Sequence, residues 1–377
     1  MELNRKAKKI VLEDGLEFHG TGFGSADNKM VELVFNTSMV GYQEIVSDPS
    51  YTGQAVVMTY PLIGNYGMCD DDYETLRPSV SGLIVREYCE KPSNFRFTRT
   101  LEDVMKEFGI VGVYGIDTRT LGRYIRNFGT CRAYIVDTEV STEDAVAALK
   151  AWKPETDFVA QVSTKETYDW STAKISDLYP LQSNHVVAID CGMKRNIPRS
   201  LARRGCKVTV VPWDSSAEYI LSLNPDGIFI SNGPGDPQDA GATIATIRQL
   251  IGKKPIFGIC LGHQIISLAY GADTYKLKFG HRGGNHPVKN LKTGKIEITS
   301  QNNSYAVKEE SLAGTGLEIT HVNILDNTIE GVECKKDRVF SVQYHPESAP
   351  GPQDSAYLFD EFINIMNESK GEGKADA

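Results

Sequence analysis

The spacing of apolar and polar residues changes character midway along the chain. In the first part the signals are short and strand-like. Residues 9–18 place apolar positions on either side of Asp14-Gly15, a dipeptide suited to a tight hairpin, and residues 55–59 and 82–85 read as further strands. Residues 142–153 carry the spacing of a short amphipathic helix. From Val186 the rhythm becomes strand 186–190, helix 195–204, strand 207–211, strand 227–231, a helix from about 242 to 251, and strand 255–259. Such alternation predicts a parallel sheet wrapped by helices, with ligands at the carboxyl ends of the strands. Between the two regimes, residues 153–183 are mixed and polar with little period, as expected of a connector packing across both domains. The last residues, Glu368-Ser369-Lys370-Gly371-Glu372-Gly373-Lys374, are low in apolar content and are expected to be disordered. The expected division is therefore a β-rich domain over 1–152, a connector over 153–184, an α/β domain over 185–367 and a flexible tail over 368–377.

Composition narrows the classes of function. The net charge of −9 and a pI near 5.4 disfavour a general nucleic-acid binder, since the positive charges are scattered singly and form no stripe. The basic amino terminus is followed by the charged turn Glu13-Asp14-Gly15, not by an apolar core, so it does not read as a secretory signal. No run of eighteen apolar residues predicts a membrane span. The seven cysteines are odd in number and contain no C-x-x-C pair, which points to reduced thiols in a cytoplasmic enzyme and not to a disulfide framework or zinc site.

The most informative cysteine is Cys260. Gly258-Ile259-Cys260-Leu261-Gly262-His263 follows the apolar run Pro255-Ile256-Phe257, the pattern of a nucleophile on a sharp strand-to-helix turn. The alternative is an ordinary buried cysteine at a strand end. Downstream, Gln343-Tyr344-His345-Pro346-Glu347 follows the strand-like Val339-Phe340-Ser341-Val342. Pro346 favours an extended His345, so that residues 345 and 347 point the same way and the carboxylate can orient the imidazole. A free thiol has a pKa of about 8.5, and a paired imidazole supplies its activation. Cys260, His345 and Glu347 together would make a triad for acyl transfer through a thioester. His263 is a rival base, but a residue three along a helix normally points elsewhere. A third element is Ser231-Asn232-Gly233-Pro234-Gly235-Asp236, a loop whose backbone N–H groups could face an oxyanion alongside that of Leu261; it could equally be a plain tight turn. His281 and His286 have no neighbouring cysteine or carboxylate to complete a site, so no metal is expected.

With these residues in view, the second half resembles the class I glutamine amidotransferases, through Ser231–Asp236, Gly258–Gln264 and His345-Pro346-Glu347. The first half resembles the amino-terminal domain of the carbamoyl-phosphate synthase small-subunit family. That likeness rests on Phe35-Asn36-Thr37-Ser38-Met39, Gly41-Tyr42-Gln43-Glu44, Asp48-Pro49-Ser50-Tyr51, Thr59-Tyr60-Pro61-Leu62-Ile63-Gly64-Asn65 and Gly115-Ile116-Asp117-Thr118-Arg119. Phe279-Gly280-His281-Arg282-Gly283-Gly284-Asn285-His286-Pro287-Val288 belongs to the same likeness, which runs from about Ile10 to Ile365.

The resemblance implies an α/β protein whose β-rich amino-terminal domain precedes an amidotransferase domain with a mostly parallel sheet flanked by helices. It implies glutamine hydrolysis by Cys260, His345 and Glu347, with L-glutamine contacted by Ser50, Gly233, Gly235, Leu261, Gln264, Asn302, Ser304 and Tyr305. Ser50 would come from the other domain, although a plain turn serine after Pro49 explains it as well. The family commonly has Gly then Phe where this chain has Ser304 and Tyr305, a change that matters if φ at 304 must be positive. No Gly-x-x-x-x-Gly-Lys-Ser/Thr loop is present, so no cofactor is expected on this chain. ATP and Mg would belong to a large synthetase subunit, the implied partner. The rival classes are a free-standing cysteine hydrolase acting on γ-glutamyl bonds and a non-catalytic interaction subunit.

Overall fold

The hairpin about Asp14-Gly15 forms. Strand β1 (Ala7–Leu12) pairs antiparallel with β2 (Glu17–Gly24), Ile10 opposite Phe18, and Gly15 takes the φ of +90° that the turn requires. The structure, a computed structural model, describes residues 5–170 and 183–375. The chain forms two compact units, residues 1–155 with 278–283, and residues 156–277 with 284–377.

In the first unit the hairpin joins β3 (Lys29–Asn36), β4 (Gln54–Met58), β6 (Gly82–Ile84), β8 (Val111–Tyr114) and β9 (Cys131–Asp137) in a closed barrel of order β1-β2-β8-β6-β4-β3-β9. Two short strands, β5 (Leu62–Ile63) and β7 (Glu87–Tyr88), pair separately. Alternate residues of the barrel strands, among them Ile10, Leu33, Val57, Val113 and Ile135, form one apolar core with Leu121 and Ile125. Those two belong to α3 (Thr118–Phe128), which is capped by the Asp117 side chain accepting from Thr120 N–H. The remaining helices are α1 (Tyr42–Val46), α2 (Leu101–Glu107) and α4 (Thr142–Ala151).

The second unit opens with α5 (Phe158–Val162) and β10 (Tyr168–Asp169). Residues 156–170, expected as part of a connector, thus belong to this unit, and β10 pairs antiparallel with β12 (Cys206–Pro212). Residues 171–182 of that expected connector lie outside the described residues. The sheet centre is parallel: β12, β11 (Asn184–Asp190), β13 (Gly227–Ile230), β14 (Ile256–Ile259) and β19 (Val339–Val342). Beyond β19 come β18 (Ile329–Cys334), β17 (Glu318–Asn323), β15 (Thr274–Asn290) and β16 (Ile296–Val307).

Strand alternation divides the apolar residues between two faces. Val187, Ile189, Ile228, Ile230 and Ile256 pack with α7 (Ala217–Ser222), α8 (Gly241–Leu250) and α9 (Leu261–Ala269). Val186, Ala188, Phe229, Phe257 and Val342 pack with α6 (Asn196–Arg203) and α10 (Tyr357–Ala375). This three-layer arrangement is the α/β class expected from the sequence.

The expected tail is corrected by the structure, because α10 continues through Glu368–Lys374 to Ala375. Phe359, Phe362 and Met366 are buried in the core, and Lys370 Nζ donates to Ser183 O (2.9 Å) and Asn184 Oδ1 (2.7 Å) and pairs with Asp226 (2.7 Å). An anchored helix extends cheaply, since each added residue gains a hydrogen bond without a new nucleation step.

Candidate active site

Strand β14 ends at Ile259 and α9 begins at Leu261, which leaves Cys260 alone on the turn with φ 54° and ψ −106°. A non-glycine residue in such a region carries strain on the order of 1–3 kcal/mol unless its surroundings enforce it. Here the Cys260 N–H donates to Val342 O (2.9 Å) and its carbonyl accepts from Gln264 N–H (3.2 Å), so strand and helix both grip the turn. The flanking glycines are a packing requirement. A β-carbon on Gly262 would stand 2.3 Å from Ile230 O, and one on Gly258 would stand 2.5 Å from Ile266 Cδ1. The Cys260 side chain is buried, and Sγ approaches Asn302 O at 3.6 Å.

The loop after β13 rests against this turn. Ser231 Oγ accepts from Cys191 N–H (2.9 Å) and donates to Asn232 O (2.7 Å), while Asn232 Oδ1 accepts from Lys194 N–H (3.1 Å). These bonds tie the ends of β11 and β13 together. A β-carbon on Gly233 would lie 2.1 Å from Cys191 O and 2.7 Å from Leu261 Cδ2, so only glycine lets this backbone approach the turn, and Gly235 has φ +88°. The Leu261 amide, first in α9, has no acceptor within its own helix.

The histidine arrives on the neighbouring strand. β14 and β19 run parallel, with Ile259 opposite Val342, and three residues later His345 N–H donates to Ser300 O (2.9 Å). His345 Nδ1 lies 2.7 Å from Glu347 Oε1, both groups being buried. Nε2 is enclosed and bonded to no oxygen or nitrogen. After Glu347, Cys260 is the group that most favours the protonated ring. His263 is placed differently: its Nδ1 pairs with Ser341 Oγ (2.9 Å), and burial, reinforced by His321, pushes it down to about 3.

Sequence reasoning missed Lys194. Its Nζ stands 3.0 Å from Glu347 Oε1 and donates to Ser348 O (2.7 Å), with 3% of the side chain exposed. Asn196 Nδ2 donates to Glu347 O. In sequence Lys194-Arg195-Asn196 reads as an ordinary polar helix start, and nothing local marks Lys194 as enclosed. Its effect is large. Burial alone would raise the Glu347 carboxyl, but Lys194 and then His345 hold it down at about 2. Burial would likewise lower the His345 imidazole, yet Glu347, then Cys260, raise it to about 10. The arrangement is a buried, charged pair beside a thiol, suited to taking and returning a proton at one position.

The residues expected around glutamine fall as follows. Gln264 is one turn along α9 from Cys260, and its Nε2 donates to Tyr305 O and Gln343 Oε1, both at 2.9 Å. Gln343, wholly buried, is a second residue the sequence did not reveal. Asn302, Ser304 and Tyr305 lie on β16. Ser304 is not among the residues with positive φ, so the exchange of glycine for serine there carries no left-handed penalty. Ser50 belongs to the first unit, in the single turn Pro49–Tyr51, where its N–H donates to Asp48 Oδ1 (2.9 Å). Among the described residues no three His, Cys, Asp or Glu side chains are grouped to hold a metal, and no helix is long and apolar enough to cross a membrane.

Residues 187–365 match the family model of glutamine amidotransferase class-I, and residues 10–135 match that of the carbamoyl-phosphate synthase small chain, CPSase domain. Similar proteins include the carbamoyl phosphate synthase small chain of Fusobacterium nucleatum subsp. nucleatum, 52% identical over 364 residues, or 96% of this chain and 99% of that one. The protein of the same name from Bacillus cereus is 53% identical over 367 residues, covering 97% and 98%. That from Staphylococcus epidermidis is 51% identical over 361 residues, covering 96% of each.

Proposed function

The chain belongs to the carbamoyl-phosphate synthase small-chain family, and from that premise we propose that it hydrolyses L-glutamine at Cys260 and delivers the ammonia to a large, ATP-dependent synthetase chain. That chain would use ATP and Mg to make carbamoyl phosphate from bicarbonate, in the cytoplasm. The observation that carries the reading is the buried His345–Glu347 pair set beside Cys260 on adjoining parallel strands.

Sulfur attacks the carboxamide carbon of glutamine, forming a C–S bond and a tetrahedral oxyanion. The Leu261 N–H and the backbone of the Gly233–Gly235 loop are the donors suited to that oxygen, and loss of one such donor typically costs about a hundredfold or more. His345 gives its proton to the departing nitrogen, and ammonia leaves as the C–N bond breaks. Water then attacks the thioester while His345 takes a proton from it, releasing glutamate and restoring the thiol. Glu347 stabilises the charged imidazole, and Lys194 keeps Glu347 ionised.

Ammonia freed into water would be protonated and diluted, so a docked partner and an enclosed route belong to the same proposal. The test is reconstitution with the large chain, comparing glutamine with free ammonia as nitrogen source. Cys260→Ser is expected to abolish glutamine-dependent synthesis and spare the ammonia-dependent rate. Glutamine-dependent synthesis surviving in Cys260→Ser would end the catalytic assignment, and equal glutaminase rates with and without the large chain would end the coupling.

A further inference from the structure

Asp190, the last residue of β11, spends both carboxylate oxygens on backbone. Oδ1 accepts from the N–H groups of Gly192 (2.9 Å) and Met193 (2.7 Å), and Oδ2 accepts from Thr164 N–H (2.8 Å). The side chain is buried, and bonds from backbone amides to a carboxylate are roughly twice as strong as those between neutral groups. One residue therefore sets the path of two segments, the turn 191–194 and the chain leaving α5, that lie 26 residues apart at their joint contact.

Both segments bear on the Gly233–Gly235 loop. The turn after Asp190 backs its first residues: a β-carbon on Gly192 would stand 3.0 Å from Pro234 Cδ and 3.3 Å from Gly233 Cα. Helix α5 backs the far end, since Phe158 Cδ2 is 3.5 Å from where a β-carbon on Gly235 would stand. The two supports also meet each other, Val162 Cγ2 lying 2.8 Å from the β-carbon position of Gly192. The same turn runs on into Lys194, whose N–H donates to Asn232 Oδ1 at 3.1 Å, just ahead of Gly233.

We propose that Asp190 is a positioning residue which, by fixing the turn 191–194 and the end of α5 together, holds the backbone donors of the Gly233–Gly235 loop where the tetrahedral oxygen forms. Its own oxygens are engaged by backbone, so it acts through the loop and not on the reacting atoms. Donors aimed at a developing charge work because they are fixed beforehand, and a displacement of about 1 Å can cost a hundredfold in rate.

This role rests on glutamine hydrolysis at Cys260, so the assembled small and large chains are first assayed for glutamate release. A parent complex that releases none removes the glutaminase reading itself. Asp190→Asn keeps an oxygen for Gly192 and Met193 but turns its amide nitrogen towards the Thr164 N–H, and so frees the end of α5 alone. It is expected to lower kcat for glutamine roughly tenfold with KM within about twofold, the pattern of a contact made only in the transition state. Asp190→Ala frees both segments and is expected to cost about a hundredfold. The deciding readout is the γ-aldehyde analogue of glutamine. Cys260 sulfur adds to its carbonyl carbon, the C=O electron pair moves to oxygen, and that oxygen takes the place of the tetrahedral oxyanion. The inhibition constant of the aldehyde should rise by about the factor by which kcat falls, whereas a loss of folded protein lowers kcat and leaves that constant at the parent value. Should Asp190→Ala fail to fold, the isosteric Asp190→Asn carries both expectations. A kcat within about twofold of the parent, or a lowered kcat with the inhibition constant unchanged, overturns the role of Asp190.

Discussion

Lys194 and Glu347 form an enclosed ion pair, Nζ to Oε1 3.0 Å, on the same carboxylate oxygen that accepts from His345 Nδ1 at 2.7 Å. One anion is thus shared by two cations in a setting where water screens little. Removing one partner of a buried pair leaves a charge without its compensation, which typically costs several kcal/mol. Lys194→Met is expected to lower unfolding free energy on the order of 3 kcal/mol in denaturant titrations, and to raise the His345 pKa further, since Lys194 opposes protonation of the ring. A loss below about 1 kcal/mol, the range of exposed pairs, would show that the pair is not acting as an enclosed one.

The His345–Glu347 pair has a defined pH window. His345 titrates near 10 in the folded chain against an ordinary value of 6.5, so its stabilisation is complete below about 6.5 and is lost as pH rises through about 10. Glu347 is held near 2 against an ordinary 4.5, so its contribution is present above about 4.5 and is lost as pH falls through about 2. Both act fully between about 4.5 and 6.5. Glu347→Gln removes the strongest upward influence on the ring, leaving burial to dominate. The His345 resonances in an NMR titration should then move to lower pH. An unaltered titration in Glu347→Gln would refute the assigned cause.

The strain at Cys260 predicts an inversion of the usual order of substitutions. Ala is normally preferred to Gly in folded elements, by roughly 0.5–1 kcal/mol. At φ 54° and ψ −106° the β-carbon is the source of the strain, so Cys260→Gly should be the more stable of the two by about 1 kcal/mol, although both lack the thiol. Thermal unfolding of the two variants measures this, and a more stable Cys260→Ala would mean that the turn is relaxed.

Gly233 predicts a steric effect that reaches the turn at Cys260. A β-carbon there meets Cys191 O at 2.1 Å, a backbone atom that cannot swing aside. Gly233→Ala should destabilise by about 1–3 kcal/mol and reduce glutaminase activity by at least tenfold, because the loop must withdraw from Leu261. Gly235→Ala meets no atom closer than 3.5 Å and is opposed only by its φ of +88°. A smaller loss of activity at 235 than at 233 is the outcome to look for.

How far the sequence could be read depended on whether the signal was local. The parallel strands from Val186 to Ile259 show in their apolar runs, and Cys260 shows because glycines two residues to either side mark a crowded turn. His345 and Glu347 show because an extended chain before proline places them on one side. Lys194 and Gln343 did not, since a buried lysine and a buried glutamine look in sequence like any surface residue, and their partners are remote along the chain. The tail failed for the opposite reason. Glycines and charges at 368–374 argue against order locally, while Lys370 is fastened to Asn184 of β11, 186 residues away, and to Asp226. The serine at 304 looked like a conflict only because the φ at that position is invisible in sequence.

The bond from Cys260 N–H to Val342 O has a consequence for the order in which the protein matures. Cys260 and His345 hang from the ends of neighbouring strands, yet α9, β15, β16, β17 and β18 intervene between those strands along the chain. Pairings of such long range form late, because loop closure must precede their reward. A chain emerging during synthesis therefore holds a chemically unremarkable thiol until β19 slots into the centre of the sheet. Glutamate release then doubles as a clock for folding, and its lag behind helix formation during refolding would time the insertion of that one strand.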